Sequence, residues 1–191
     1  MPVACLLIGA GGHAKAVVEA ARASIGDVVA YVDPRPVAWL QAAHLAADAD
    51  VKANGIPIVI GMGGVSATQL KARLALLESY LSRGHPAPPV VHPQAHVSAD
   101  AALQDGAIVL AGAIVQPGAV IGRGAIVNTR AVVEHDSKIG AGSHVAPGAI
   151  ALGGCRIGRC VMIGAGAVVL PGATVADETL VPALTRHGET P

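Results

Sequence analysis

From Val91 onward, one residue in six is aliphatic, and this period constrains the fold more than any other feature of the chain. The positions are Val91, Val97, Leu103, Val109, Val115, Ile121, Val127, Val133, Ile139, Val145, Ala151, Ile157, Ile163, Val169, Val175 and Val181, and Ala151 is the one that is not Val, Ile or Leu. Four residues after nearly every one comes a small side chain, as at Ala107, Ala113, Ala125, Ser137, Ser143 and Cys155, often preceded by Gly. A period of six is neither the 3.6 of a helix nor the 2 of a long strand. It fits a short flat strand followed by a tight corner. The branched residue points inward and stacks on its equivalent in the next coil, while Gly accepts the corner dihedrals at low steric cost. Three hexads make one triangular coil, and the array runs to about five coils. Each coil buries its inner face only by stacking on its neighbours.

The composition agrees with such a core. The chain of 191 residues is 52% hydrophobic, yet has no Phe, one Trp and two Tyr. Thirteen basic and thirteen acidic residues cancel, which argues against a protein that mainly grips nucleic acid or an anionic membrane. Three cysteines, Cys5, Cys155 and Cys160, form neither a disulfide framework nor a zinc signature, and a cytoplasmic setting is expected. The uncharged run from Gly106 to Gly122 holds Gln116, Pro117 and several Gly with a period of six, so it is not read as a membrane span.

The first 90 residues follow another rule. Cys5–Ala10 reads as a buried strand entering a Gly-rich turn, Ala14–Ala23 as a helix, Val28–Val32 and Ile56–Ile60 as further strands, and Ala67–Leu81 as a helix. Alternating strands and helices imply a small parallel sheet. The Pro-rich stretch from Arg83 to Val90 reads as a linker. The expected organisation is therefore mixed α/β followed by all-β. A small Rossmann-like domain over residues 1–87 precedes a parallel β-helix over residues 88–191.

Two motifs carry chemistry. Gly9-Ala10-Gly11-Gly12-His13-Ala14 follows a strand and opens a helix, with Asp33 further on. This matches a dinucleotide fingerprint with a ribose-binding acid, in which glycines let the backbone approach phosphate at a helix N-terminus. Three strands house a whole dinucleotide poorly, so a nucleotide or nucleotide-sugar is the preferred ligand. NAD and a ligand-free tight turn are the alternatives. The second motif runs from Asn128 to Asp136. With Val133 inward, His135 projects near the next corner beside Asp136. An imidazole suits the task of taking a proton from an amine or hydroxyl; a solvated loop His is the other reading. His144 lies nine residues on, on a different face of the prism, so a shared site would need a neighbouring subunit. His92 and His96 are too far from His135 for a metal site. His44, His85 and His187 read as solvated, and Cys155 as packing.

With these motifs in hand, the chain resembles the bacterial sugar O- and N-acetyltransferases of the sialic acid O-acetyltransferase type, which include enzymes acting on UDP-linked 4-amino sugars. The resemblance runs from Val3 to Val175 through IGAGGHAK, YVD, VIGMGG with Arg73 following, and NTRAVVEHDSKIGAGSHVAPGAIALGG. It implies a left-handed coil, acetyl-CoA as co-substrate, no metal, and a homotrimer with sites between subunits and direct transfer. It implies His135 as general base and Asp136 as the group that orients it. It places His144, Gly153 and Ala165 toward CoA, His144 at the thioester end and Gly153 N–H as oxyanion donor. It places Asn128 against the acceptor sugar, and Gly11, Gly12, His13, Asp33 and Gly61 around a nucleotide-sugar. The implied function is acetyl-CoA-dependent N-acetylation of a nucleotide-activated 4-amino-4,6-dideoxy sugar. O-acetylation of sialic acid or a related sugar, or a non-catalytic trimeric sugar-nucleotide-binding protein, are the alternatives. The resemblance also implies a further coil and a basic tail. The ending VADETLVPALTRHGETP reads as lacking that coil, with Arg186 its one late positive charge.

Overall fold

The computed structural model describes residues 4–52 and 55–189. Its first part holds β1 (Cys5–Ile8), α1 (Gly12–Ser24), β2 (Val28–Val32), β3 (Ala43–Leu45), β4 (Ile58–Ile60) and α2 (Ala67–Ser82). The strands form one sheet in the order β3-β2-β1-β4, with every pair parallel. β1 and β4 are buried along their length, as strands covered on both sides must be. Three strands are expected from the sequence and four are found. The extra one, Ala43–Leu45, has two exposed residues and a partly buried one, so no apolar run marks it. It exists because β2 offers an edge.

The second part is a parallel β-solenoid. Among the described residues it comprises two-residue strands from β5 (Val90–Val91) to β21 (Arg186–His187), in three parallel ladders of six, six and five strands. Each residue pairs with one 18 positions on, as Ile126 does with His144 and Val132 with Ile150 (144 − 126 and 150 − 132). The second residue of each strand points inward. From Val109 to Val181 these residues, Ala151 included, are buried in one continuous core, each worth about 1.5–3 kcal/mol for an aliphatic side chain. Where Ser replaces Ala, the hydroxyl is satisfied. Ser137 Oγ donates to Leu152 O (2.8 Å) and accepts from Cys155 N (3.0 Å). Ser143 Oγ does the same with Gly158 O (2.7 Å) and Val161 N (2.9 Å). A hydroxyl left unbonded there would cost about 1–3 kcal/mol.

The outward residues make the three faces different. Face one carries Val90, Ile108, Ile126, His144 and Met162, all buried, because α1 and α2 lie on it. One apolar cluster joins Val17 and Val18 of α1 to Val90, Ile108 and Ile126. Another joins Leu70, Leu74 and Leu77 of α2 to Ala146, Cys160 and Met162. Face two carries a half-buried stripe of Ile114, Val132, Ile150 and Val168, flanked by exposed His96 and Arg186. Face three carries the exposed Ala102, Lys138, Arg156 and Thr174 beside half-buried Val120.

Two expectations change. The coil does not stop at Val181. Arg186–His187 pairs with Val168–Val169, and Leu184 takes the corner in a left-handed conformation (φ 58°). The sequence pattern fades there because Leu and His replace the Gly and aliphatic, while the backbone ladder continues. His85 is not solvated. It is buried beneath Tyr80 with its Nδ1 on Ile56 O (3.0 Å). The stretch from 83 to 90 is bonded to both parts of the chain, through Ile58 N to Pro86 O (2.8 Å) and Gly106 N to Ala87 O (2.6 Å).

Candidate active site

His135 stands at a corner between faces two and three. Its side chain is 64% exposed, and its Nδ1 lies 2.9 Å from Asp136 Oδ2. A carboxylate only accepts, so the proton sits on Nδ1 and Nε2 is left as the basic nitrogen. Asp136 occupies the corner position with φ 60°, where neighbouring coils place Gly118 and Gly154. Asp is among the few side chains that tolerate this left-handed region. One coil on, Gly153 lies directly against the imidazole. A Cβ there would be 2.6 Å from His135 Nε2, so the ring fits only because residue 153 has no side chain. Among the described residues, neither the N–H of Gly153 nor that of Ala165 has an acceptor. Each is an open donor at an exposed or half-buried corner.

The second locus is a cavity of about 560 Å³ at the carboxyl ends of β1, β2 and β4. Its lining includes Gly11, Gly12, His13, Asp33, Gly61 and Met62. This is where open parallel sheets bind ligands. Gly61 is forced by close approach, since a Cβ would meet Gly9 O at 2.2 Å. Asp33 braces the Gly-rich turn. Its Oδ2 accepts from Ala10 N (3.0 Å) and its Oδ1 from Arg35 N (3.1 Å). Trp39 Nε1 donates to Ala10 O (3.1 Å).

A buried polar chain joins this cavity to the solenoid. His144 Nδ1 is 2.8 Å from Gly64 O, and its Nε2 is 2.9 Å from Asn128 Nδ2. Asn128 Oδ1 accepts from Thr129 N (2.7 Å). Because Gly64 O and Asn128 Oδ1 only accept, the direction is fixed: His144 donates from Nδ1 and accepts at Nε2. His144 is 5% exposed and Asn128 9%. Burial, opposed by the Gly64 bond and aided by the charge of Arg73, lowers the pKa of His144. His13, its ring 6.2 Å from that of His144, is lowered to about 4 by burial, then by His144 and Arg73. Both are neutral at pH 7.

The sequence-derived residues thus fall into two groups. His135, Asp136 and Gly153 meet at one corner. Gly11, Gly12, His13, Asp33 and Gly61 meet around the cavity, with Asn128 and His144 behind its wall. The two groups lie on different sides of the prism within one chain. His144, expected toward CoA, has both ring nitrogens engaged inside the chain. Two features escape the sequence reading. One is the burial of Arg73 and its two carbonyl partners, since the motif that includes Arg73 and the helical pattern of α2 say nothing of what it meets. The other is the apolar stripe of face two, readable afterwards as every eighteenth residue through Ile114, Val132, Ile150 and Val168. Cys155 is buried and its thiol is pushed up by burial, which suits packing. Among the described residues, no group of three His, Cys, Asp or Glu is placed to hold a metal, and no helix is long and apolar enough to cross a membrane.

A hexapeptide-repeat solenoid with an open His-Asp corner and an attached α/β pocket defines the class: an acyltransferase. No protein-family model and no curated protein matches the chain, but solved structures do. The acetyltransferase domain of PglB from Neisseria gonorrhoeae is 31% identical over 97% of this chain and 91% of its own, with a TM-score of 0.88. The same domain has also been solved with acetyl coenzyme A. PerB from Caulobacter crescentus, solved with CoA and GDP-perosamine, is 32% identical over 96% of this chain and 88% of its own, with a TM-score of 0.87. The chain belongs to the hexapeptide-repeat family of bacterial sugar N-acetyltransferases, and it is an acetyl-CoA-dependent sugar acetyltransferase.

Proposed function

We propose that the protein transfers the acetyl group of acetyl-CoA to the amine of a nucleotide-activated 4-amino-4,6-dideoxy sugar. The observation that carries this is the open His135–Asp136 corner facing the bare Gly153, in a family whose members bind acetyl-CoA and GDP-perosamine. The amine attacks the thioester carbonyl, and His135 Nε2 takes its proton as the C–N bond forms. The N–H of Gly153 donates to the oxyanion. Collapse breaks the C–S bond, and the departing thiolate takes the proton back from His135. Asp136 holds the tautomer. Ala165 lies at the other edge of face two, on the corner that also carries Asn128, and offers its free N–H to CoA there. His144 has no nitrogen free for the thioester, so we assign it to holding Asn128, which keeps one amide N–H for the acceptor sugar.

In this reading residues 1–87 are a Rossmann-like nucleotide-sugar domain, supported by the 3-2-1-4 strand order. Residues 88–191 are a left-handed β-helix acyltransferase domain. The protein works as a cytoplasmic homotrimer. The face-two stripe supports this, since monomers rarely leave such a row of branched aliphatics uncovered. The stripe lies between the His135 corner and the Asn128 corner, so docking there brings the partner subunit's His135 toward this chain's pocket.

Release of CoA with UDP- and GDP-linked amino sugars tests the activity. We expect turnover with an amine acceptor, and a 10²- to 10⁴-fold loss in His135→Ala. Acetylation of hydroxyl acceptors alone would move the assignment to O-acetylation. Transfer unchanged in His135→Ala would remove it as base. Mixing His135→Ala with Asn128→Ala subunits should restore part of the activity if the site is shared.

A further inference from the structure

Arg73 is 0% exposed. Among the described residues no carboxylate lies within ion-pair distance of it. Its Nε donates to Met62 O (2.8 Å), one of its two terminal nitrogens to Gly124 O, and the other is buried with no partner. Burying a guanidinium without a carboxylate is expensive, and a purely structural bridge between two carbonyls could be made by a neutral side chain. The two carbonyls identify where the charge is directed. Gly124 belongs to a solenoid corner. Met62 belongs to the loop that lines the cavity, and its side chain packs over Gly9 at the head of the Gly-rich turn. His144 holds the other end of that loop through Gly64. The cavity lining contains no lysine or arginine among the described residues, although a nucleoside diphosphate brings two or three negative charges. Nearby Lys15 is instead turned to Trp39. With His13 and His144 held neutral, the guanidinium is the buried positive charge whose field reaches both rings behind this wall.

We propose that Arg73 is the cation of the nucleotide pocket, charging its wall from behind and positioning Met62 without touching the ligand. This rests on reading the cavity as a nucleoside-diphosphate site. The charge costs nothing to organise on binding, because burial and two carbonyls already hold it. Its field passes through protein of low dielectric and is little screened by salt.

The test compares charged with uncharged ligands on the full chain by calorimetry: UDP against uridine and GDP against guanosine. In the wild type the diphosphate binds more tightly. Arg73→Met should weaken the diphosphate about tenfold and the nucleoside less than about twofold. Arg73→Lys, which keeps charge and loses the fork, should retain most of the diphosphate advantage. Arg73→Gln repeats the neutral arm if Arg73→Met does not fold. Equal weakening of diphosphate and nucleoside in the neutral variant means a structural bridge and overturns the proposal, as does loss of the advantage in Arg73→Lys. A wild type that binds neither diphosphate refutes the pocket reading as well, which separates the two failures.

Discussion

His135 and His144 sit nine residues apart on one solenoid, yet they have become different chemical objects. His135 stands at an open corner with a carboxylate at its Nδ1 and a bare glycine at its Nε2. His144 stands on a strand covered by the α/β part, both nitrogens bonded and its neutral form enforced by burial. Imidazole identity is the same in both. What differs is whether a second layer of structure lies over the face. An uncovered histidine with an acid can exchange protons with a substrate, whereas a covered one between a carbonyl and an amide serves as a strut.

The comparison can be broken at the corner first. Gly153→Ala places a methyl where the His135 ring lies, so kcat for acetyl transfer should fall about 100-fold. Folding should hardly change, because the displaced ring is exposed. A variant with full activity would show that ring and glycine do not meet in the working enzyme. Asp136→Asn keeps a side chain that tolerates the left-handed corner but no longer selects the Nδ1 proton as a carboxylate does. Steady-state assays should give a loss of about tenfold, below that of His135→Ala, with the thermal midpoint unchanged.

The buried locus is tested by acid. The folded pKa of His13 is depressed to about 4 from 6.5, so the unfolded chain binds the extra proton first as pH falls. Stability is therefore fully present above pH 6.5 and is lost between 6.5 and about 4, at up to about 1.4 kcal/mol per pH unit per histidine. Urea titrations across that range should show a shallower decline in His13→Gln than in wild type. Identical slopes would mean the His13 imidazole is not depressed by its surroundings in solution. The smallest effect lies far from both loci. Leu184 holds a left-handed corner at φ 58° and is 86% exposed. Leu184→Gly should raise stability by about 0.5–1 kcal/mol; a decrease would show that the last coil depends on the leucine side chain.

The hexad made the interior of the solenoid legible. Every sixth residue from Val109 to Val181 faces inward, and even Ala151 sits in the stack. It also put His135 and Asp136 at a corner, where the structure has them. The Gly-rich turn between strand and helix was legible too, because Gly9 takes a left-handed φ of 82° there, which glycine adopts at low steric cost. The edge strand Ala43–Leu45 was not, since a three-residue segment with little burial carries no hydrophobic signal. The last coil was missed for a related reason. Backbone pairing to the preceding coil does not need the side-chain pattern that announces it.

What the sequence determined by itself is the inward face, because the same local stacking is repeated every six residues and each repeat confirms the others. What only the tertiary structure decided is the fate of the outward residues. His144, Asn128 and Met162 are buried, Lys138 and Arg156 exposed, and Ile150 half-covered according to which face α1 and α2 lie upon. That choice rests on contacts between segments some 50 to 80 residues apart, such as Arg73 with Gly124 and Gly64 with His144. No local period encodes those contacts, and they decide which histidine is covered and which is left open to solvent.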